Sequence, residues 1–349
     1  MSETPISAAR STPDEADAIG AFILAHPQAT FCHHPGWGPV LRESYGKNLF
    51  HFTLRGKDRG LSGVIPVVAL QSPLFGKQWV SLPYLDFGGP LAINPESETA
   101  LIEALTRASA KEGSRLEIRS AHALASLPLP DNDKVAMYLN LGAFTEESYW
   151  KKLDARVRNQ VRKAEKSGIT TRWGGLDELD AFYSVFCANM RDLGSPVHAR
   201  QLFSAMLSHI PGSEIGTAWR EGRCIGGLVR IRFRDTLAIP WASTLAEERI
   251  YCPNHAMYYD SIKTAFREGY RRLDFGRSTK GEGTYRFKAQ WLAEDSPLPW
   301  YQFDSQGHAA QSVAHVQSGK LAFAGRVWKK LPLPVANWLG PRLRSAIAA

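Results

Sequence analysis

An internal repeat constrains the fold of this chain more than any other feature of its sequence. Residues 102–120 (IEALTRASAKEGSRLEIRS) and residues 261–278 (SIKTAFREGYRRLDFGRS) each predict an apolar-periodic helix, a Glu-Gly turn and an alternating strand that ends in Arg-Ser. Upstream, residues 50–70 and 215–233 each read as two strands joined by a charged turn that contains glycine, and a third extended segment follows each pair. The repeated unit is too long for a stacked solenoid, so this order predicts one fold made twice in tandem.

Length and composition agree with two domains. The chain has 349 residues, and 44% of them are hydrophobic, which is enough for two cores. Its first residues are polar and acidic rather than basic and then apolar, and no apolar run reaches the length of a membrane span, so we expect a cytoplasmic protein. The four cysteines are far apart and predict neither a zinc ribbon nor a disulfide framework. Cys32 beside His33 and His34 resembles half a metal site, but no second ligand pair is evident, and we expect no metal.

Positive charge is concentrated towards the C-terminal end. The formal net charge is +8, and no Asp or Glu follows Asp304, whereas six Lys and Arg residues do. Residues 320–344 place Phe323, Trp328 and Trp338 among these cations, a pattern typical of short helices at the boundary of an anionic membrane. The alternatives are a helix docked on the protein body with solvated charges, and a contact with nucleic acid.

A second basic cluster lies where the two halves join. Residues 148–168 (SYWKKLDARVRNQVRKAEKSG) predict a helix with an apolar stripe at spacings of three and four residues, so the stripe faces a core. Cations crowd the other faces, and like charges one turn apart repel, which favours a bound anion over a merely solvated surface. We expect Arg156, Arg162 and Lys163 to bind phosphate, either the diphosphate of a carrier or the backbone of tRNA. A solvated basic face is the alternative.

The candidate catalytic residues follow the strand of the second repeat. The strand YRRLDFG delivers Asp274 and Arg277 to its C-terminal end, and the Gly-containing segment after it allows the backbone to approach a ligand closely. Tyr285 and Lys288 follow at helical spacing and share one face. We expect Asp274 to orient or deprotonate an attacking amine, and Tyr285 to protonate the leaving group. Arg277, Lys288 and the adjacent Ser278 would bind phosphate or polarise an acyl carbonyl. The alternative for Asp274 is a structural pairing with Arg277.

Two segments resemble known acyltransferases. Residues 156–169 (RVRNQVRKAEKSGI) resemble the basic helix of the FemAB-type peptidyltransferases. Residues 273–291 (LDFGRSTKGEGTYRFKAQW) resemble the signature of FemAB-like proteins associated with exosortase (PEP-CTERM) and exopolysaccharide loci, and are also similar to the BioF-like acyltransferase domain. Both groups are built from GNAT (acetyltransferase-type) folds, and the FemAB group has two in tandem. The resemblance therefore implies the duplication that the repeat predicts, and an aminoacyl group taken from aminoacyl-tRNA.

Three further residues are predicted to contact substrate. Asn254 and Tyr258 open the helix where a GNAT fold normally has a Gly-rich turn for the coenzyme A pyrophosphate, and this chain has no such turn there. That difference disfavours coenzyme A, although BioF-like domains also lack a clear version of the turn. His198 lies in a loop, RDLGSPVHAR, that resembles a Leu-Gly-x-Pro segment of the family, and it is an alternative general base.

Together these observations predict an α+β protein with two tandem GNAT domains and a basic amphipathic C-terminal tail. The predicted boundaries are 1–145, 146–305 with the active site, and 306–349. The expected activity is transfer of an aminoacyl or acyl group onto an amine of a cell-envelope or exopolysaccharide precursor by direct attack. The co-substrate, aminoacyl-tRNA or acyl-CoA, stays open, and no bound cofactor is expected. The alternatives are a non-catalytic binding protein on the same scaffold and a nucleic-acid-binding protein.

Overall fold

A computed structural model describes residues 7–72, 76–310 and 323–347. The chain divides into two compact units. Unit 1 comprises residues 1–133, 297–318 and 345–349, and unit 2 comprises residues 134–296 and 319–344. Within the described residues, no helix combines the length and the apolar composition that a membrane span requires.

Unit 1 is built on one mixed sheet with the strand order β1-β2-β3-β4-β6-β14, and the short β5 pairs with β3. The β4–β6 pair is parallel, and the other neighbouring pairs are antiparallel. The elements are β1 (Ser7–Arg10), α1 (Ala16–Ala25), α2 (Trp37–Tyr45), β2 (Leu49–Arg55), β3 (Leu61–Ser72), β4 (Gly76–Val80), β5 (Leu91–Ala92), α3 (Pro95–Lys111), β6 (Arg115–Arg119) and β14 (Trp300–Phe303).

Unit 2 is built on a second mixed sheet with the order β13-β7-β12-β11-β10-β9-β8. Here the β11–β12 pair is parallel. The elements are β7 (Lys134–Asn140), α4 (Glu146–Lys152), α5 (Ala155–Lys166), β8 (Thr170–Gly174), α6 (Leu176–Leu193), α7 (Arg200–His209), β9 (Ser213–Arg220), β10 (Arg223–Phe233), β11 (Thr236–Thr244), α8 (Pro253–Arg267), β12 (Arg272–Thr279), α9 (Gly283–Ala289), β13 (Glu294–Pro297) and α10 (Leu333–Ala346).

The predicted duplication is confirmed by the order of these elements. The series β1-α1-α2-β2-β3-β4-α3-β6 recurs in unit 2 as β8-α6-α7-β9-β10-β11-α8-β12, with the parallel pair at the same place. The repeated Glu-Gly turns end α3 and α8, and Gly113 and Gly269 take φ values of 64° and 76° there. A residue with a Cβ is disfavoured in this left-handed conformation, so each helix ends at its glycine.

The sheets divide the sequence differently from the predicted boundaries. Residues 134–140 form β7, which pairs with β12 and so belongs to unit 2 rather than to a first domain ending at 145. Residues 300–303 form β14, which pairs with β6 in unit 1 rather than belonging to a second domain ending at 305. Each sheet is completed by a strand that lies outside its own repeat, and hydrophobic periodicity does not reveal such long-range pairing.

The predicted basic helix is two helices. Asp154 separates α4 from α5, and its side chain accepts a hydrogen bond from the N–H of Arg156 at the start of α5. The predicted apolar stripe is confirmed, because Val157, Val161 and Ala164 are buried in the core of unit 2. The break changes the direction of the chain before the most basic stretch.

Helices cover both faces of the sheet in unit 2. A Cβ placed on Gly226 of β10 would lie 2.9 Å from Met257 of α8, and one on the next residue, Gly227, would lie 2.8 Å from Phe182 of α6. Successive residues of a strand point to opposite faces, so α8 and α6 pack on opposite sides. The two glycines allow both helices to approach β10 closely.

Candidate active site

The parallel strands β11 and β12 diverge. Their pairing joins residues 236–238 to residues 272–274 and then stops, although both strands continue. Beyond this point β11 remains paired with β10, and β12 with β7. The facing edges of the two strands therefore open a gap in the described part of the sheet, with backbone polar groups on both sides. Such a gap is a place where a ligand can bind between strands.

A β-bulge on β12 lies beside this gap. Asp274 and Arg277 pair with Tyr138 and Ala136 of β7, so two residues of β12 oppose one residue of β7. Gly276, inside the bulge, has a φ of 71°, a left-handed conformation that favours glycine. A bulge rotates the residues that follow it, and here it changes the direction of the Arg277-Ser278 pair.

Two of the predicted catalytic residues hold this bulge in place. The Asp274 carboxylate, only 3% exposed, accepts a hydrogen bond from the N–H of Gly276 at 2.7 Å. The Lys288 ammonium, with Lys288 8% exposed, donates to the carbonyl oxygens of Gly276 and Arg277 at 3.1 and 2.7 Å. These contacts give Asp274 and Lys288 a positioning role in the local backbone, and their predicted chemical roles stay predictions.

Ser278 has an unusual environment. It is 4% exposed, and its hydroxyl has no hydrogen-bond partner in the part of the chain that the structure describes. An unsatisfied buried hydroxyl costs free energy, typically about 1–3 kcal/mol, unless another group completes it. A bound ligand would complete this hydroxyl, and the substrate-binding role of Ser278 stays a prediction.

The N-terminal turn of α8 lies at the end of β11. The side-chain amide of Asn254 donates weakly to the hydroxyl of Thr244 at 3.4 Å, and its carbonyl oxygen is buried and has no partner among the described residues. Pro253 is the first residue of α8 and has no N–H, so this turn offers fewer backbone donors than a Gly-rich turn would.

Tyr258, one turn further along α8, faces the bulged strand. Its ring stacks on Phe275 of β12, with centroids 5.6 Å apart and an interplanar angle of 8°. Burial raises the pKa of the Tyr258 hydroxyl well above its usual range, so the hydroxyl keeps its proton at neutral pH. Burial also lowers the pKa of the neighbouring His255 to about 4, which leaves that imidazole neutral.

The basic helix α5 reaches the same turn. Gln160 of α5 contacts the thiol of Cys252, the residue immediately before α8. Burial raises the pKa of the Cys252 thiol, and the nearby Lys163 partly opposes this shift. Arg156 and Lys163 are exposed and lie on the same face of α5 as Gln160, at spacings of four and three residues. This face adds positive charge beside the N-terminus of α8, which itself favours anions.

Other cations of α5 are directed elsewhere. Arg158 donates to the carbonyl oxygens of Lys151 and Leu153 at the end of α4, at 2.9 and 2.7 Å. The Arg162 guanidinium lies over the ring of Trp150, 5.7 Å from its centroid. The structure thus separates Arg162 from Arg156 and Lys163, which the sequence predicts as one phosphate-binding set.

The hydrogen bonds of Tyr285 and His198 do not involve the Gly276 bulge. The Tyr285 hydroxyl donates to the exposed Asp295 at 3.1 Å, and this hydrogen bond raises the pKa of Tyr285. Asp295 also pairs at 3.2 Å with Lys280 of the loop before α9, so Tyr285 and this loop share one partner, and the predicted proton transfer by Tyr285 stays a prediction. His198 is 1% exposed, so it is a buried residue and not a solvated loop histidine.

His198 packs on the face of the sheet that α6 and α7 cover. Its ring stacks on Phe186 and meets Trp241 edge-on. Burial, followed by the charge of Arg344, holds the pKa of His198 well below its usual range. Its Nε2 accepts a hydrogen bond from Arg344 of α10 at 3.1 Å, which occupies the lone pair that a general base would need.

The corresponding opening in unit 1 is closed. The strands β4 and β6 also pair in parallel over only three residues, 78–80 with 115–117. Beyond them the N–H of Ser81 donates to the carbonyl oxygen of Glu117 at 2.9 Å, and the N–H of Gly88 donates to that of Arg119 at 3.0 Å. The chain after β4 therefore bridges the gap that stays open in unit 2.

In unit 1, the space around Arg119, the repeat counterpart of Arg277, is likewise occupied by other residues. Arg119 is 2% exposed, pairs with the buried Glu117 at 2.7 Å and donates to the carbonyl oxygen of Leu85 at 2.8 Å. The ring of Trp300 in β14 covers its guanidinium at 4.2 Å. These contacts give the Arg-Ser pair of unit 1 a structural role.

Several residues at the site were not predicted from the sequence. Gln160 and Cys252 connect α5 to α8, and Thr244 and Phe275 position Asn254 and Tyr258. Gln160 could have been predicted from one feature of the sequence, since it is a neutral polar residue inside a basic stretch. Nothing local in the sequence predicts which residues the other three contact.

Cys32 and His33 resemble half of a metal site in sequence, but in the structure the His33 ring bonds to the backbone. The His33 ring accepts a hydrogen bond from the N–H of Thr30 at 3.1 Å and bonds to the carbonyl oxygen of Gly89 at 3.1 Å. In residues 7–72, 76–310 and 323–347, no group of three or more His, Cys, Asp or Glu side chains is arranged to hold a metal ion.

This geometry agrees with the comparisons to known proteins. Residues 151–289 match the family model described as acetyltransferase (GNAT) domain. This match covers fewer than half of the 349 residues, and it lies within unit 2 together with the open gap. Comparison of the sequence with curated proteins finds no relative.

Solved structures show a similar fold over most of the chain. A structure of FemX superposes with a TM-score of 0.65 at 14% identity, covering 86% of this chain and 98% of FemX. L-PGS from Bacillus licheniformis gives 0.54 at 13% identity, covering 92% and 98%. A tandem GNAT protein from the clavulanic acid biosynthesis pathway gives 0.53 at 11% identity, covering 86% and 99%. At these identities the similarity establishes a tandem GNAT fold.

Proposed function

We propose that this protein is an acyltransferase that moves an aminoacyl or acyl group from a phosphate-bearing carrier onto an amine. The reaction takes place in the gap between β11 and β12 of unit 2. One observation carries the proposal: this gap is open in the unit that contains the GNAT domain, whereas hydrogen bonds of Ser81 and Gly88 close its counterpart in unit 1.

The chemistry that fits the gap is direct attack. The amine nitrogen adds to the acyl carbonyl carbon and forms a tetrahedral intermediate. The intermediate collapses as the bond from this carbon to the carrier oxygen or sulfur breaks, and the proton lost by the nitrogen passes to that oxygen or sulfur. The unpartnered Ser278 hydroxyl and Asn254 amide oxygen would contact the donor. Arg156 and Lys163, beside the N-terminus of α8, would bind its phosphates. The neutral hydroxyl of Tyr258 can donate a hydrogen bond.

The acceptor in this proposal is an amine of a cell-envelope or exopolysaccharide precursor. The support is the FemAB-like segment at 273–291 together with the similarity in fold to FemX. Both aminoacyl-tRNA and acyl-CoA carry the phosphates that the basic face of α5 would bind. Pro253, which removes a backbone donor from the α8 turn, favours aminoacyl-tRNA.

A donor screen tests the proposal. Purified protein is mixed with charged tRNAs or with acyl-CoA species, in each case with amine-bearing envelope precursors, and mass spectrometry detects the mass that the acceptor gains. We expect one donor class to give product. Ser278→Ala should lower kcat/KM about 3–10-fold without lowering the melting temperature, because the hydroxyl has no hydrogen bond to lose among the residues that the structure describes.

The repeat supplies the matched control. Ser120 corresponds to Ser278 in unit 1, and its hydroxyl accepts a hydrogen bond from the N–H of His122 at 3.2 Å. Ser120→Ala should leave kcat/KM unchanged. Equal loss of activity in the two variants would contradict the assignment of the site to unit 2.

A matched pair of variants tests the basic face of α5. Lys163→Gln should weaken donor binding about tenfold, and the adjacent Arg162→Gln, which loses its contact with Trp150, should not. Titration of donor binding by fluorescence anisotropy measures both. Identical affinities for the two variants would show that this face of α5 does not bind the donor.

A second candidate function is a non-catalytic binding protein on the same scaffold. The observation that favours it is the use of Asp274 and Lys288 to hold the Gly276 bulge, which engages the two strongest candidates for acid-base chemistry. Tight binding of one donor without turnover in the screen, over all acceptors offered, would support this function instead.

A further inference from the structure

The C-terminal helix α10 has two different faces. Ala336, Gly340 and Arg344 recur every four residues and form one face. Ala336 is 2% exposed, a Cβ on Gly340 would lie 2.7 Å from Val197, and Arg344 bonds to His198. This face is therefore docked on unit 2, as one of the alternatives for the tail predicted.

The opposite face of α10 is apolar and exposed. Val335, Trp338 and Arg342 recur at spacings of three and four residues and so share one face. Val335 is 40% exposed and Trp338 is 59% exposed. The Arg342 guanidinium lies 4.4 Å from the centroid of the Trp338 ring and donates to the Trp338 carbonyl oxygen. A helix that is already packed on its inner face does not usually expose a Trp beside a cation on its outer face.

The segment before α10 also combines exposed apolar side chains with cations. Residues 323–328 are helical, and Phe323 and Val327 lie one turn apart with 63% and 48% of their surfaces exposed. Arg326, Lys329 and Lys330 are exposed beside them. Lys320, the remaining cation of the predicted tail, lies outside the described residues. The exposed apolar side chains are thus accompanied by cations, and no acidic residue follows Asp304.

We propose that this surface, Phe323, Val327, Val335 and Trp338 with their neighbouring cations, binds the surface of an anionic phospholipid bilayer. The charge of the surface selects this partner, because the apolar side chains can enter the headgroup boundary while the cations meet lipid phosphate. A Trp ring has both an apolar body and an N–H, which suits that boundary. The docked face keeps α10 attached to unit 2, so binding brings the GNAT domain to the membrane. This inference goes beyond the proposed function and does not depend on it.

Co-sedimentation with vesicles tests the proposal on the full chain. We expect binding to vesicles of equal parts phosphatidylcholine and phosphatidylglycerol, and at least tenfold weaker binding to phosphatidylcholine alone. The double variant Val335→Ser/Trp338→Ser should weaken binding about tenfold or more, since both side chains are exposed in the unbound protein. The double variant Lys329→Gln/Lys330→Gln should weaken it about 25-fold, or about fivefold per cation.

The matched control is Leu176→Ser at the start of α6, because Leu176 is 59% exposed but lies outside this surface. It should bind vesicles like the unaltered protein. Circular dichroism melting checks that the variants remain folded. Failure to bind the anionic vesicles, or equal binding by the Val335/Trp338 and Leu176 variants, overturns the proposal. Tighter binding to a DNA duplex or to tRNA that is lost in the same Val335/Trp338 variant also overturns it. Because the readout is lipid binding, this result is independent of whether the donor screen succeeds.

Discussion

Replacing Lys288 by Met tests whether this lysine supports the backbone or the chemistry. Its ammonium donates to the carbonyl oxygens of Gly276 and Arg277, at 3.1 and 2.7 Å, and the residue is 8% exposed. A hydrogen bond from a charged donor contributes roughly 1.5–3 kcal/mol, and the Met side chain retains most of the apolar stem. We therefore expect Lys288→Met to lower the free energy of unfolding by about 3 kcal/mol. For a unit of this size the melting temperature should fall by about 6–12 °C.

The assay is differential scanning calorimetry of the full chain, with Lys280→Met as the matched control. Lys280 pairs with Asp295 at 3.2 Å, but its side chain is 57% exposed, and such pairs contribute about 1 kcal/mol or less. The control should melt close to the unaltered protein. If Lys288→Met also melts there but loses all transfer activity, the ammonium acts on the substrate, and the reasoning from backbone contacts is refuted.

Two further predictions concern stability. Gly276→Ala should destabilise unit 2 by about 1–2 kcal/mol in urea unfolding because the glycine has a φ of 71°, and an unchanged urea midpoint would contradict the bulge geometry. Burial lowers the pKa of His33 to about 4 from its usual 6.5, so the unfolded chain binds the proton more readily. Stability should be complete above pH 6.5 and fall by up to about 3 kcal/mol as the pH approaches 4. In His33→Gln, urea unfolding at several pH values should show a smaller loss. The slope that remains comes from the other histidines whose pKa burial lowers, namely His34, His51, His198 and His255. A slope equal to that of the unaltered protein would exclude His33 as its source.

The sequence predicted the parts of the site that depend on local order. The Glu-Gly turns at Gly113 and Gly269, the buried stripe of α5 and the strand that carries Asp274 follow from periodicity and turn chemistry. The sequence did not predict where the polar side chains of these elements are directed. Tyr285 lies three residues before Lys288 on α9, and its hydroxyl bonds to the exposed Asp295 of β13, a strand that is not part of the repeat and that the repeat therefore did not predict as a partner.

The cations of α5 show the same limit. A helical projection separates apolar from charged faces, but it does not say which charged face meets another element. Arg158 and Arg162 contact residues at the end of α4, whereas Lys163 lies near Cys252 at the start of α8, and Arg156 shares the exposed face of α5 with it. That division follows from the break at Asp154 and from the packing of α5 on α8, which the basic stretch alone does not encode.

The repeated order of helices and strands, and with it a tandem fold, was determined by the sequence alone, because short-range patterns of apolar residues and glycines specify each element. Only the tertiary structure decided which of the two copies is open. Both copies contain a short parallel pair and an Arg-Ser strand end. In unit 1, residues 81–88 and Trp300 fill the space around Arg119, and the Ser120 hydroxyl accepts a hydrogen bond from His122. In unit 2 the hydroxyl of Ser278, the counterpart of Ser120, has no partner among the described residues. The physical reason is that closure depends on hydrogen bonds and packing between residues far apart in the chain, which two similar local sequences do not share.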